Sequence, residues 1–177
     1  MDHGFFMAGF ILGIIIVAII NTIIGNRMKN KGNIYDERML KNQLTGYKRG
    51  FYTALGLMIA IANLYECTSL DKHIAPSLML IIIFMISVIV STGYKIKTDA
   101  FFGIGQNAMK SIIFLICVTA INLIFGIMNI INGSLFEKGK LTLVSGANLV
   151  LGICLFIILI EFIAKKASMG KESDEES

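Results

Sequence analysis

The sequence has no tryptophan, one proline, three cysteines and two histidines among its 177 residues. Without tryptophan, aromatic anchoring at a membrane interface falls to tyrosine and phenylalanine. With Pro76 as the single proline, the broken, Pro-interrupted helices that build many coupled transporters have little to form from. Cys67, Cys117 and Cys154 show neither disulfide nor metal spacing. Two of them, Cys117 and Cys154, sit inside apolar runs, where a thiol behaves as a small hydrophobe. His3 and His73 do not supply the histidine pair beside a carboxylate that a membrane metalloprotease needs. Glu66, Cys67, Asp71 and His73 share a loop, but their spacing matches no recognised metal site. Charge is scarce as well. Only 16% of residues are charged, against about 25% in a typical soluble domain.

What the chain does hold is apolar length. Hydrophobic residues make up 55% of it, collected into runs long enough to cross a bilayer core. The fold class expected is an all-α, polytopic integral membrane helical bundle filling residues 1–165. Five spans are predicted, at about 5–25, 50–70, 74–93, 111–131 and 141–164. Pro76 suits the first turn of the third. The charged tail, 166–177, is expected to be disordered. A cleaved signal peptide is not expected, because Met1–Gly4 holds no positive residue and the first apolar run has full spanning length.

Charge sets the orientation. Thirteen of the sixteen Lys and Arg residues fall in 26–49, 94–110 and the C-terminal segment. Alternating five spans places all thirteen on one side. By the positive-inside rule that side is cytoplasmic, with the N-terminus outside and the C-terminus inside. The setting expected is a bacterial cytoplasmic membrane. The net charge of +4 then reports orientation and predicts no nucleic-acid partner.

The stretch Asn26–Arg49 carries seven of those basic residues. Asn33 offers an N-cap, with Asp36 and Glu37 in the favourable first turn. Leu40, Leu44, Tyr47 and Phe51 follow at helical spacing. Residues 34–49 are therefore predicted to form a short amphipathic helix on the membrane surface, running into the second span. Beyond the third span, Tyr94, Lys95 and Lys97 are expected to anchor the inner interface, with Phe101 and Phe102 dipping into it.

Small and polar residues mark the packing faces. In the first span, Gly9-x-x-x-Gly13 admits close approach of another helix. In the second, Thr53, Gly56, Ala60, Asn63 and Cys67 share one face and should look at other helices. Asn21, Asn63, Asn122, Asn129 and Asn148 are intramembrane amides, which need partners in hydrocarbon and so favour interhelical hydrogen bonds. A polar route for a small solute is the sharper alternative use. Glu161 lies near the inner end of the last span, within reach of headgroups or of Lys165.

No acid–base pair, nucleophile elbow or dinucleotide fingerprint emerges, so neither a cofactor nor a catalytic residue is predicted. One further pattern is Tyr35-Asp36-Glu37-Arg38 followed by Gly46-Tyr47-Lys48-x-Gly50-Phe51. Over residues 35–51 it resembles uncharacterised small multi-pass membrane proteins of Gram-positive bacteria, which carry an Asp-Glu-Arg segment before a transmembrane hairpin. That resemblance implies a membrane location and no particular activity. Asp36, Glu37 and Arg38 form the expected cytoplasmic partner contact. The leading expectation is a non-catalytic interaction or accessory protein, assisting a transporter, sensing the envelope or protecting it. Its partners would be the lipid bilayer and either another membrane protein or further copies of itself. A small-solute permease component working as an oligomer is the alternative, and an intramembrane enzyme the third.

Overall fold

The computed structural model describes residues 35–103 and 108–175, with side chains described through Lys166. The predicted first span at 5–25, with Gly9, Gly13 and Asn21, lies outside the described residues. The chain divides into two units, Met1–Asp36 and Glu37–Ser177. All the described helices belong to the second.

That unit is all-α apart from one small hairpin. Helix α1 spans Glu37–Cys67, α2 Leu70–His73, α3 Pro76–Lys97 and α4 Ala108–Ile131. Strands β1 (Phe136–Glu137) and β2 (Lys140–Leu141) precede α5, Leu143–Glu175. Four helical segments are long and apolar enough to cross a membrane: Glu37–Cys67, Pro76–Lys97, Met109–Ile131 and Leu143–Lys166. The chain is thus a multi-pass helical membrane protein, and its many exposed Ile, Leu and Phe side chains face acyl chains at no hydrophobic cost.

The helices stand in a row. α1 packs on α3, α3 on α5, and α5 on α4. α3 is the centre of this row and supplies most of the buried side chains, including Leu78, Ile83, Met85, Ser91, Lys95 and Ile96. α1 buries only Gly46 and Gly50. Close approach comes from small residues. A Cβ at Gly50 would stand 2.8 Å from the Ser87 carbonyl oxygen, and one at Gly126 of α4 would stand 2.8 Å from Leu149 Cα of α5. Lipid gives helices no hydrophobic reason to associate, so such backbone-to-backbone van der Waals contact is what joins them.

Three sequence expectations change. The predicted surface helix at 34–49 and the second span form one uninterrupted helix of 31 residues, about 46 Å long at 1.5 Å per residue. Neither Gly46 nor Gly50 breaks it, because both sit where α3 presses closest and packing outweighs the propensity cost of glycine. Leu40, Leu44, Tyr47 and Phe51 are all largely exposed, with Tyr47 and Phe51 bordering the groove between α1 and α3. The tail predicted to be disordered from 166 continues α5 to Glu175. An existing helix needs no new nucleus, and Ala, Met, Lys and Glu propagate it readily.

Both ends of the row are tied. At one end Lys138 and Gly139 have φ of 53° and 79°, a type I′ turn that brings Glu137 opposite Lys140. Leu141 then accepts a hydrogen bond from Ala75 N–H at 2.8 Å, and Tyr65 O–H donates to the Ile74 carbonyl. The connection 66–75 stays largely exposed, with its end at Ile74 and Ala75 tied down by these two bonds. Thr142 and Ser145 cap α5 reciprocally, each side-chain oxygen accepting the other's backbone N–H. Pro76 takes the first turn of α3 as predicted.

At the other end α3 closes with a left-handed residue, Asp99, φ 55°, and Ala100 N–H donates back to the Lys95 carbonyl at 2.8 Å. This 6→1 bond is a Schellman closure. Gln43 Nε2 of α1 donates to the Ala100 carbonyl at 3.0 Å, which fastens the turn to the neighbouring helix. Ala100 is fully buried.

Candidate functional site

Of the six buried polar or charged side chains among the described residues, four lie in the last three turns of α3, at this second end: Ser87, Ser91, Thr92 and Lys95. The spacing is one of fours. Ser87, Ser91 and Lys95 recur along one stripe of α3, and Gly46 and Gly50 along the facing stripe of α1. Residues four apart on a helix stack on one face, so the two stripes meet over their whole length. Adding a Cβ at Gly46 would bring it within 2.9 Å of Lys95 Cγ. The bare glycine backbone is thus what lets the Lys95 stem lie between the helices.

Lys95 was expected to reach headgroups as an interfacial anchor. It is 8% exposed and stands with Nζ 3.2 Å from the centroid of the Tyr47 ring, a cation–π contact. One further turn of helix holds it: α3 runs on to Lys97 and does not end at Gly93. Tyr94, on another face, stacks under Arg49, with the guanidinium carbon 4.1 Å from the ring centroid.

Two clefts flank α3 here. One, about 370 Å³, lies on the α1 side and is lined by Tyr47, Gly50, Phe51, Phe84, Ser87, Val88, Ser91, Thr92 and Lys95. The other, about 530 Å³, lies toward α5 and is lined by Arg49, Ile89, Val90, Gly93, Tyr94, Ile96, Lys97, Glu161, Ala164 and Lys165. It holds three cationic side chains and one carboxylate. Glu161 lies flat against Gly93, where an added Cβ would fall 2.5 Å from Oε1, and its buried Oε2 makes no hydrogen bond. Lys165, the residue expected to lie near Glu161, forms an ion pair with Asp99 at 3.0 Å. Beside that pair, Phe101, Phe102 and Phe162 make a ring cluster with centroids 4.8–5.5 Å apart, Phe101 standing edge-on to both others, so the aromatic pair of this loop packs on α5.

The predicted asparagines divide. Only Asn129 bridges helices, its Nδ2 donating to the Ser145 carbonyl at 2.9 Å. Asn63 and Asn122 donate to Ile59 and Val118 one turn back in their own helices, and Asn148 makes no side-chain hydrogen bond among the described residues. An amide can always satisfy one donor within its own helix, which is why the interhelical expectation holds at one position in four described. The second-span face Thr53, Gly56, Ala60, Asn63 and Cys67 was expected to look at other helices. From Gly56 onward it is exposed, and Gly56 has no atom within 4 Å of an added Cβ. Asp36, Glu37 and Arg38 are exposed at the start of α1.

Gly46, Gly50 and Gly93 were not expected as contact sites, and Ser87 and Ser91 were expected only as the polar handles of the third span. The four-residue spacing of Gly46 with Gly50 and of Ser87 with Ser91 is present in the sequence. It reads as a packing stripe only once the helix standing opposite is known. Among the described residues no group of three His, Cys, Asp or Glu is placed to hold a metal. No family model matches the chain, and no curated protein or solved structure is similar to it.

Proposed function

We propose that this chain is a membrane interaction or accessory protein of a bacterial cytoplasmic membrane, working through contact with another membrane protein and without catalysis of its own. Its five spans, the first at 5–25, leave the N-terminus outside and the C-terminus in the cytoplasm. The task of such a protein is to assist a transporter, to sense the envelope or to protect it. The observation that carries this reading is the outer face of α1. α1 stands at one end of the row and touches the other described spans mainly through α3. The opposite side of the same helix offers Gly56, Ala60, Asn63 and Cys67, all exposed, where lipid-facing helices more often carry bulky aliphatic side chains. Small residues allow a second transmembrane helix to approach, and the free acceptor of Asn63 gives that helix a hydrogen bond. Asp36, Glu37 and Arg38 at the exposed start of the same helix extend the contact into water.

A photocrosslinking amino acid at Ala60 tests this. The expected result is one defined protein adduct from Ala60 in intact membranes, weakened by Gly56→Leu and absent when the crosslinker stands at Phe84 on α3. Lipid adducts alone from both positions would sink the reading. An adduct between two copies of this chain would favour the homo-oligomer.

A second reading, a small-solute permease component assembled from several copies, draws on Glu161. A carboxylate set beside Gly93 within a candidate span, in a cleft shared with Arg49, is a feature of ion and solute routes. Solute flux in vesicles containing the purified protein, lost in Glu161→Gln, would favour it over the accessory role.

A further inference from the structure

We propose that the cleft between α1 and α3 binds an anionic phospholipid, with its phosphate on Lys95 and Ser91 and an acyl chain along Phe51, Phe84 and Val88. The argument begins with an unbalanced charge. Lys95 is 8% exposed and its Nζ lies over the Tyr47 ring. A ring face attracts the cation but accepts few of its three N–H donors. Among the described residues no carboxylate pairs with it, the one ion pair being Lys165 with Asp99. An ammonium held against a ring without a counter-ion is costly beside hydrocarbon. An anion from outside the chain removes that cost.

Ser91 gives the second observation. It is also 8% exposed, and its buried Oγ has no hydrogen-bond partner. Unlike Ser87, whose hydroxyl donates to the Phe84 carbonyl in its own helix, Ser91 leaves its proton unused. Ser91 and Lys95 are one turn apart on the same face of α3, and both line the cleft of about 370 Å³. An ammonium and a hydroxyl donor converging from one face suit a phosphate oxygen pair. No acidic side chain lines the cleft to oppose it.

The shape of the walls selects a lipid over free phosphate. Lys95 lies two residues from the end of a candidate span, at headgroup depth. Phe84 is three turns farther in, about 16 Å along the helix axis, at acyl depth. Phe51 and Phe84 are 61% and 59% exposed, so the cleft opens sideways to the bilayer. A cation at the boundary with an apolar wall running inward matches one phospholipid molecule.

Native mass spectrometry of the purified full chain, delipidated and then titrated with phosphatidylglycerol or phosphatidylcholine, tests the proposal. Preferential retention of phosphatidylglycerol is expected. Lys95→Gln should weaken it at least about tenfold, the scale of a lost charge-assisted hydrogen bond, and Ser91→Ala should weaken it several-fold. Lys97→Gln, which removes an equal charge outside this cleft, should change it less than about twofold, the scale of an exposed charge contact. Equal retention of the two lipids overturns the proposal, as does equal loss in Lys97→Gln and Lys95→Gln. Displacement of the lipid by an equal concentration of inorganic phosphate would assign the site to a free oxyanion and overturn it too. If Lys95→Gln fails to fold, Ser91→Ala decides, because it keeps the Cβ that stands against Gly50 and removes only an unpartnered hydroxyl.

Discussion

Gly50 and Gly56 lie six residues apart on one helix, and the sequence does not tell them apart. Packing does. A side chain at Gly50 meets the Ser87 carbonyl at 2.8 Å, a backbone atom that cannot swing aside, whereas Gly56 faces open space. Gly50→Leu should therefore destabilise the protein by at least about 1–3 kcal/mol, the usual cost of overpacking. Gly56→Leu should leave the isolated chain as stable as the parent or slightly more so, since leucine is the better helix former. Thermal unfolding of both variants in one detergent checks this, and equal losses would contradict the α1–α3 contact. The same logic separates the asparagines. Asn122 and Asn129 belong to one helix and look equivalent in sequence. Only Asn129 finds the Ser145 carbonyl across the interface, because the capped first turn of α5 stands opposite it.

At the scale of elements, the decisive feature is that α1 is one helix. Apolar periodicity suggested two pieces meeting near Arg49, a surface segment and a span. A helix lying in the interface and then crossing the bilayer must turn sharply, and sharp turns have local causes such as proline or an inserted side chain. The only proline in the chain is Pro76. Nitroxide or cysteine accessibility scanned from Leu44 to Leu57 should thus oscillate with one uninterrupted helical period, with minima at Gly46 and Gly50. A shift of phase near Arg49 would restore the two-piece description. The predicted boundaries of the other spans fall within a few residues of the apolar segments Pro76–Lys97, Met109–Ile131 and Leu143–Lys166. Their long apolar runs dominate local energetics in a bilayer, where every backbone group must be satisfied within the helix. The exceptions lie at the ends, where Asp99 and the Lys138–Gly139 turn close the helices through left-handed residues.

For the whole molecule, the question is which side each end faces. The four described spans alternate direction along the chain, with α3 and α5 side by side and parallel in the row, so Lys95, Lys97, Lys110 and Lys165 share one end and the hairpin at Lys138 sits at the other. The proposed orientation, with the first end cytoplasmic, rests on the charge asymmetry. A cysteine placed at Lys138 should react with a membrane-impermeant maleimide in intact cells, and one placed at Lys31 should not. The reverse pattern would invert the orientation. Among the described spans α1 packs mainly on α3, and it buries only Gly46 and Gly50. Bundles in water must close around a core, but helices in lipid can stand side by side with both outer faces solvated by acyl chains.

The sequence by itself determined that this is a multi-pass helical membrane protein and roughly where three of its described spans run. Those properties depend on apolar length, which is local and additive along the chain. Tertiary structure alone decided which glycines are contacts and which are open surface, and which asparagine bridges helices. It also decided that Lys95 turns inward, to lie on Tyr47 between α1 and α3. Each of these depends on what stands opposite a residue, and in a membrane one small side chain more or less sets how closely two backbones meet. Helical spacing assigns residues to a face, but only the packed neighbour gives that face a role.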